Sequence, residues 1–215
     1  MLDYILNLIY PNVCGICGKI HKESLCKKCE LKLQKYEINN NVGAGFHARP
    51  IQLISIFKYE SEIRDQIIKY KFGEKAYLYK TFARMILNNK KVCKILGQYD
   101  IILPVPIHKN KRRKRGYNQT ELIAKEISKN SPNLHIGRNI LIKIKDTKTQ
   151  SLLTRTQRRE NVKNAFIINK EENVRNKKVI LFDDIYTTGA TTNECIRILK
   201  KYGTKEILIL TVAKD

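Results

Sequence analysis

Apolar positions recur along this chain with two different periods, and their alternation is the first structural signal. Residues 51–59 read as a strand. Two helical stretches follow, over 62–70 and 76–87, with Leu78, Phe82, Met85 and Ile86 on one face of the second and Gly73 separating the two. From Asp100 onward, short apolar runs alternate with helical periods. The pattern predicts a buried strand over 101–105, a helix over 119–128, a strand over 139–145 in which Ile140, Ile142 and Ile144 alternate, and a second buried strand over 178–182. It ends with a helix over 192–201 closed by Gly203 and a last strand over 206–213. Strand–helix alternation implies an α/β fold, a mostly parallel sheet covered by helices on both faces. Ligands of such sheets bind at the carboxyl ends of the strands. No internal repeat is visible.

The first thirty residues differ. Cys14, Cys17, Cys26 and Cys29 form two C-x-x-C pairs eight residues apart. Two such knuckles aim four thiolates at one ion and complete a tetrahedral zinc site, with Gly15 and Gly18 permitting a tight backbone beside the first. A second pair has no use in redox chemistry, and four thiolates leave no position for substrate, so a structural zinc in a small zinc ribbon is expected. His21 lies between the pairs as an alternative ligand. Cys93 and Cys195 fall in helical patterns and read as small buried apolar residues. A loop carrying Asn39 to Asn41, Gly43, Gly45 and Pro50 then suggests an amino-terminal zinc module over 1–45 and a second domain over 46–215.

Of the 215 residues, 42% are apolar and 29% charged, enough to bury a core and to exclude disordered, collagen-like and low-complexity classes. No apolar run approaches the roughly 18 to 20 residues of a membrane span, and the start around Leu2, Ile5, Leu6 and Ile9 lacks the basic flank and cleavage site of a signal peptide. A cytoplasmic protein without a membrane span is expected. The net charge of +22 favours polyanionic partners, either nucleic acid or phosphorylated metabolites. Residues 101–165 alone hold 16 Lys and Arg against 4 Asp and Glu, so the anion is expected there.

The densest chemistry is the string Val179-Ile180-Leu181-Phe182-Asp183-Asp184-Ile185-Tyr186-Thr187-Thr188-Gly189-Ala190-Thr191. Apolar residues drive a strand into the sheet, two carboxylates stand where it emerges, and small hydroxylated residues around a glycine open a helix. Backbone N–H groups and hydroxyls of such a loop can surround one phosphate, with the helix terminus adding positive charge. The carboxylates would repel that phosphate, so they are expected to face a hydroxyl-rich part of the ligand such as a ribose diol. A helix-capping threonine and two solvated acids are the plainer alternative.

This string resembles the signature of type I phosphoribosyltransferases, which bind 5-phosphoribosyl 1-pyrophosphate (PRPP) with Mg²⁺. The resemblance implies that Asp183 and Asp184 contact the ribose hydroxyls while Thr187, Thr188, Gly189, Ala190 and Thr191 wrap the 5′-phosphate. Tyr186 departs from the aliphatic residue usual there.

The strand over 101–105 runs into Pro104, Val105 and Pro106, which force an abrupt turn. His108, Lys109, Lys111, Arg112, Arg113, Lys114 and Arg115 follow, a basic loop expected at the same sheet edge as the phosphate loop and readable alone as a nucleic-acid patch. Asn118 with Glu121 resembles a capping box for the next helix. The stretch 149–162 shows no clear period and reads as a mobile lid carrying Gln150, Arg155 and Arg158, the two arginines one helical turn apart.

Together, the cysteine knuckles, Tyr70-Lys71 before Gly73, Pro-Val-Pro-Ile-His at 104–108, Arg-Gly-Tyr-Asn-Gln at 115–119, 153–162 with Ala165-Phe166, and the PRPP string resemble the ComF family of competence-associated, phosphoribosyltransferase-like proteins. The resemblance implies PRPP and Mg²⁺ binding, with backbone near Val105 and Pro106 plus Arg113 or Arg115 holding the departing pyrophosphate. Lys111 stands where the family tends to place Arg. Natural transformation, the process tied to the family, raises a second expectation: a single-stranded DNA-binding protein with partners among competence or recombination proteins, using PRPP at most as an effector.

Overall fold

In the computed structural model of this chain, residues 12–38, 42–44, 51–73, 75–147, 154–169 and 174–215 are described. In chain order the elements are helix α1 (Lys27–Leu33), a 3-10 turn (Gln34–Tyr36), strands β1 (Val42–Ala44) and β2 (Ile51–Lys58), helices α2 (Ser61–Phe72), α3 (Leu78–Leu87) and α4 (Lys90–Leu96), and strand β3 (Ile101–Pro104). Helices α5 (Lys109–Arg115) and α6 (Gln119–Lys129), strands β4 (His135–Ile136) and β5 (Leu141–Lys143), helix α7 (Arg155–Val162), strands β6 (Phe166–Ile168) and β7 (Lys178–Tyr186), helix α8 (Ala190–Lys201) and strand β8 (Glu206–Lys214) follow.

The main sheet has the order β1-β2-β8-β7-β3-β4, parallel except at β1. Its central strands are apolar on both faces because both faces are covered. Along β7, Ile180 and Phe182 join Leu208, Leu210 and Phe82 in one core, while Val179 and Leu181 join Ile207, Ile209 and Ile196 in the other. The first core lies under α2, α3 and α6, the second under α8 and a small separate sheet.

That small sheet corrects the expectation for 139–145. Strand β5 pairs antiparallel with β6 alone, outside the main sheet. Ile140 is buried, but Ile142 and Ile144 are exposed, and Leu141 packs instead. A two-stranded ribbon has one face to bury, and Ile142 and its register partner Ile167 share the other. Helix α4 contains Cys93, in keeping with its helical pattern; it starts at Asn89, whose side chain accepts from the Val92 N–H at 3.1 Å. The basic loop and the lid are also helical in the described residues. Helix α5 ends at left-handed Gly116 (φ +82°), and α7 opens with a capping box between Thr154 and Gln157. Gly203 (φ +76°) follows α8 as expected. Cys195 is fully buried, whereas Cys93 is half-buried and donates its thiol to the Leu87 carbonyl.

The boundary expected at residues 45 and 46 lies outside the described residues. The cysteine region itself packs onto α3: Cys14, Leu25, Cys29 and Leu33 share the core of Leu78 and Phe82. Gly18 has the left-handed conformation (φ +72°) that a tight knuckle needs. Gly15 serves contact instead, since a Cβ there would stand 2.2 Å from Thr81 Oγ1 and 2.6 Å from Leu78 Cδ2. Gly15→Ala should therefore cost about 1–3 kcal/mol of stability through overpacking. A lowered midpoint in thermal or urea unfolding is the measurement, with Gly97→Ala, which meets nothing closer than 3.8 Å, as the control.

Candidate functional site

The parallel register of β3 and β7 (Pro104 beside Phe182) brings their carboxyl ends to one edge. Strand β7 does not stop at Phe182, as its apolar run suggested. It continues to Tyr186 because β8 is equally long and pairs with it at Asp183–Thr211 and Ile185–Ala213. Both carboxylates therefore belong to the strand, and its pleat sends them to opposite faces. The expectation that the strand ends at Phe182, with both carboxylates beyond it, is thus corrected.

Asp184 points to the α2 face, where its carboxylate meets the Lys71 ammonium at 2.8 Å. Asp183 points to the α8 face, toward Cys195 and the β5 residue Lys143. Burial, reinforced by the neighbouring Asp184 charge, pushes the Asp183 carboxyl up, while Lys71 and Lys143 oppose the rise. Lys143 lies 5.3 Å over the Phe166 ring, and burial followed by the nearby Lys111 charge lowers its ammonium to about 8.

Beyond Tyr186, the chain turns through Thr187 and Thr188 into left-handed Gly189 (φ +72°), the N-cap of α8. Gly189 offers no side chain to the first N–H groups of the helix, and Thr192 Oγ1 donates back to its carbonyl at 3.0 Å. The turn encloses a concavity of about 40 Å³ lined by residues including Asp183, Thr187, Gly189 and Thr191. Thr188 Oγ1, in the same turn, is buried without a hydrogen-bond partner and does not line the concavity. Tyr186 crosses the turn, so a Cβ on Gly189 would fall 2.4 Å from its hydroxyl. A larger concavity of about 470 Å³ between α1, β2, α3 and α4 shares no lining residue with this turn.

The lid reaches the turn through α7: Arg158 Nη1 donates to Thr187 Oγ1 at 3.4 Å. Gln150 and the side chain of Arg155 lie outside the described residues. Val105 donates its N–H to the Phe182 carbonyl and accepts at its own carbonyl from Thr120 Oγ1 and Asn118 Nδ2. Pro106 has no N–H. Neither residue can donate to a pyrophosphate in this arrangement, so both form wall rather than donor. Asn118 starts α6 without capping it, because its side chain turns to Val105 and Thr120 while Glu121 pairs with Arg112 and Arg138. That replaces the expected capping box.

The basic cluster divides. Lys109, Arg113 and Lys114 are exposed, and Arg112 is tied to Glu121 at 3.3 Å. Lys111 is half-buried and donates to the Thr147 carbonyl at 3.1 Å. Arg115 is half-buried, with Asp184, Tyr117 and Tyr70 as electrostatic neighbours. Sequence reasoning gave no role to Lys71 or Lys143. Lys143 shares the face of buried Leu141 on β5, the face that the Ile140, Ile142 and Ile144 alternation left to solvent, so sequence carried no signal for it. Lys71 entered only as part of the Tyr70-Lys71 motif before Gly73.

At the other site, the sulfurs of Cys14, Cys17, Cys26 and Cys29 all lie within 4.8 Å of one another, with Cys17 and Cys26 4.0 Å apart. Sulfurs in a tetrahedron about 2.3 Å from one zinc stand about 3.8 Å apart, so the group can hold such an ion. Burial opposes ionisation of Cys14, yet backbone N–H groups of Cys17, Cys26 and Ile16 outweigh it and bring the thiol down to about 6. His21 is not in the cluster; its ring pairs with the Glu23 backbone.

Residues 107–215 match the phosphoribosyl transferase domain family. Competence protein F of Haemophilus influenzae is 31% identical over 218 residues, covering 97% of this chain and 93% of that protein. Competence protein ComFC of Streptococcus pneumoniae is 26% identical over 201 residues, covering 94% and 80%. Among solved structures, a purine phosphoribosyltransferase from Pyrococcus horikoshii is similar over 66% of this chain and 85% of its own, at 15% identity and a TM-score of 0.42. No helix among the described residues is long and apolar enough to cross a membrane. On its match to the domain and to a relative over nearly its whole length, the chain belongs to the competence protein F and ComFC family, built on a phosphoribosyl transferase domain.

Proposed function

We propose that the β7–α8 edge binds PRPP with Mg²⁺ and that the protein transfers or retains the phosphoribosyl group in DNA uptake, the process to which the names of its relatives point. The observation that carries this is the concavity lined by Asp183, Thr187, Gly189 and Thr191 at a helix terminus that no side chain caps. The first backbone N–H groups of such a terminus point at a bound phosphate, and the helix dipole favours its charge. Gly189 keeps the backbone close, and Arg158 above Thr187 closes over the same phosphate. Asp183 and Asp184 accept from the ribose hydroxyls. Their oxygens suit Mg²⁺, which when bound would offset the negative charge of the pyrophosphate. Arg115, Lys111 and Lys143 converge from α5 and β5 and stabilise charge on the departing pyrophosphate, with Arg113 at the rim. Catalysis is then positioning and electrostatics, and α7 excludes the water that would hydrolyse PRPP. The cysteine cluster holds a structural zinc, and the protein works in the cytoplasm.

Calorimetric titration with Mg-PRPP tests this. Heat is expected with the wild type and none with Asp183→Ala/Asp184→Ala at the same concentrations; silent wild type, or equal heat from both, ends the proposal. A second reading rests on the exposed Lys109, Arg113 and Lys114 on one face of the sheet edge: these bind single-stranded DNA, directly or alongside other competence or recombination proteins, with PRPP as effector. Salt-sensitive strand binding that ignores the double Asp variant, with no pyrophosphate released against any base or nucleoside, would favour it.

A further inference from the structure

Phe72, the last residue of α2, is 70% exposed although its chain neighbour Lys71 reaches Asp184 and Tyr70 is wholly buried. The segment is firmly held. The Tyr70 ring lies 5.4 Å from Phe82 and 5.7 Å from Tyr117, tilted to both, its hydroxyl donates to the Gln119 carbonyl at 2.9 Å, and the Tyr117 hydroxyl donates to the Tyr70 carbonyl at 2.7 Å. The last turn of α2 is thereby fastened to the stretch between α5 and α6, and Phe72 stands at the rim where β3 and β7 end. Over its ring lies the Arg115 guanidinium, 5.1 Å from the centroid. Arg115 in turn has Asp184 among its electrostatic neighbours. A single exposed phenylalanine is unremarkable. One that is pinned at the mouth of a site and already stacked by a guanidinium has a flat surface and a cation prepared together.

We propose that Phe72 and Arg115 form a stacking platform for a nucleobase, which makes a nucleobase-bearing molecule the one that meets the PRPP site. The inference deepens the reading above and rests on it for the identity of the neighbouring ligand. Every base has a π-face, and aromatic rings with arginine are the usual means of holding one without reading its edge. An aliphatic hydroxyl acceptor would gain nothing from the exposed ring, and a small amine would not need its flat area. Arg113 and Lys114, next to Arg115 in the chain and exposed, stand ready for phosphates attached to such a base.

The base has two sources, a free nucleoside or a single strand, and 2-aminopurine distinguishes them. The fluorescent probe is supplied as its riboside and inside a ten-residue single strand of thymidines, each titrated into wild type with and without Mg-PRPP while intensity and anisotropy are read. Quenching is expected on binding. Phe72→Leu should weaken the probe by about ten- to a hundredfold, and Phe72→Trp should restore it, with thermal unfolding of both variants checking the fold. Binding of the riboside supports the platform and identifies a small acceptor; binding of the strand alone supports it and identifies nucleic acid. No quenching of either probe by wild type, or equal affinity in wild type and Phe72→Leu, overturns the platform. Heat from Mg-PRPP with wild type is read separately. Heat without stacking sinks the platform alone, and stacking without heat sinks the PRPP reading alone.

Discussion

With Cys14 replaced by serine, the purified protein should carry no zinc and should unfold far below the wild-type temperature. Cys14 is fully buried, its sulfur accepts the Cys26 N–H at 3.4 Å, and Cys29 beside it is 6% exposed. The knuckle is also a structural wall, because Leu25, Leu33 and Tyr36 fill the same core as Phe57, Phe82 and Met85. Loss of the ion would leave thiols crowded against one another under α3 and loosen that core. Structural zinc contributes about 10–16 kcal/mol of apparent binding energy in small domains, and a whole domain is stable by only about 5–15 kcal/mol. Even part of that contribution decides whether the amino-terminal region folds. Metal content by plasma mass spectrometry and the thermal midpoint are the readouts. Cys93→Ser, outside the cluster, should keep one metal per chain, and a strong chelator should reproduce the Cys14→Ser result in the unmutated protein. Full metal content in Cys14→Ser would show that the four sulfurs do not share an ion.

The parts of the fold legible in sequence are those whose environment is uniform. Strands β7 and β8 are covered on both faces, so continuous apolar runs announced them, and the turn at Thr187 to Gly189 was readable because small hydroxylated residues around a glycine suit few other purposes. Where a run ends was less visible. Asp183 to Tyr186 look like an exit from the sheet, yet backbone pairing with β8 needs no apolar side chain, and the pleat then separates carboxylates that adjacency had put together. Helix α5 was hidden for a related reason: seven residues, none of them buried, leave no hydrophobic period. In β5 the alternation was real and its sense inverted, since a ribbon outside the main sheet has its own inside. The pair Lys71–Asp184 joins residues 113 positions apart and depends on how α2 crosses the sheet, which no local pattern encodes. Lys71 was visible only as part of a family-like motif.

Lys71→Met should destabilise the protein most at alkaline pH and recover much of the loss in mild acid. The ammonium is the ion-pair partner of Asp184, with side chains 22% and 11% exposed, and it is one of two cations that hold down the Asp183 carboxyl. Breaking a fully buried pair by removing one partner costs about 3–5 kcal/mol; the remaining exposure here brings the expectation to about 2 kcal/mol. In the wild type, burial and the Asp184 charge raise Asp183 to about 7, above its unfolded value of about 3.9. A carboxyl raised on folding binds its proton more tightly in the native state, so its contribution to stability is greatest at low pH, declines as pH climbs from about 4 to about 7, and is flat above. Without Lys71 the declining limb should extend to higher pH, and the gap between variant and wild type should be wider at pH 8 than at pH 5. Urea unfolding at both values measures it. Asp184→Asn added to Lys71→Met removes the acid that the first change leaves without its ion-pair partner, so the double variant should lie at least about 1 kcal/mol above the sum of the single losses. Equal destabilisation at both pH values together with simple additivity would mean that Lys71 acts through the packing of its methylenes and leaves the carboxylates to be neutralised by another group.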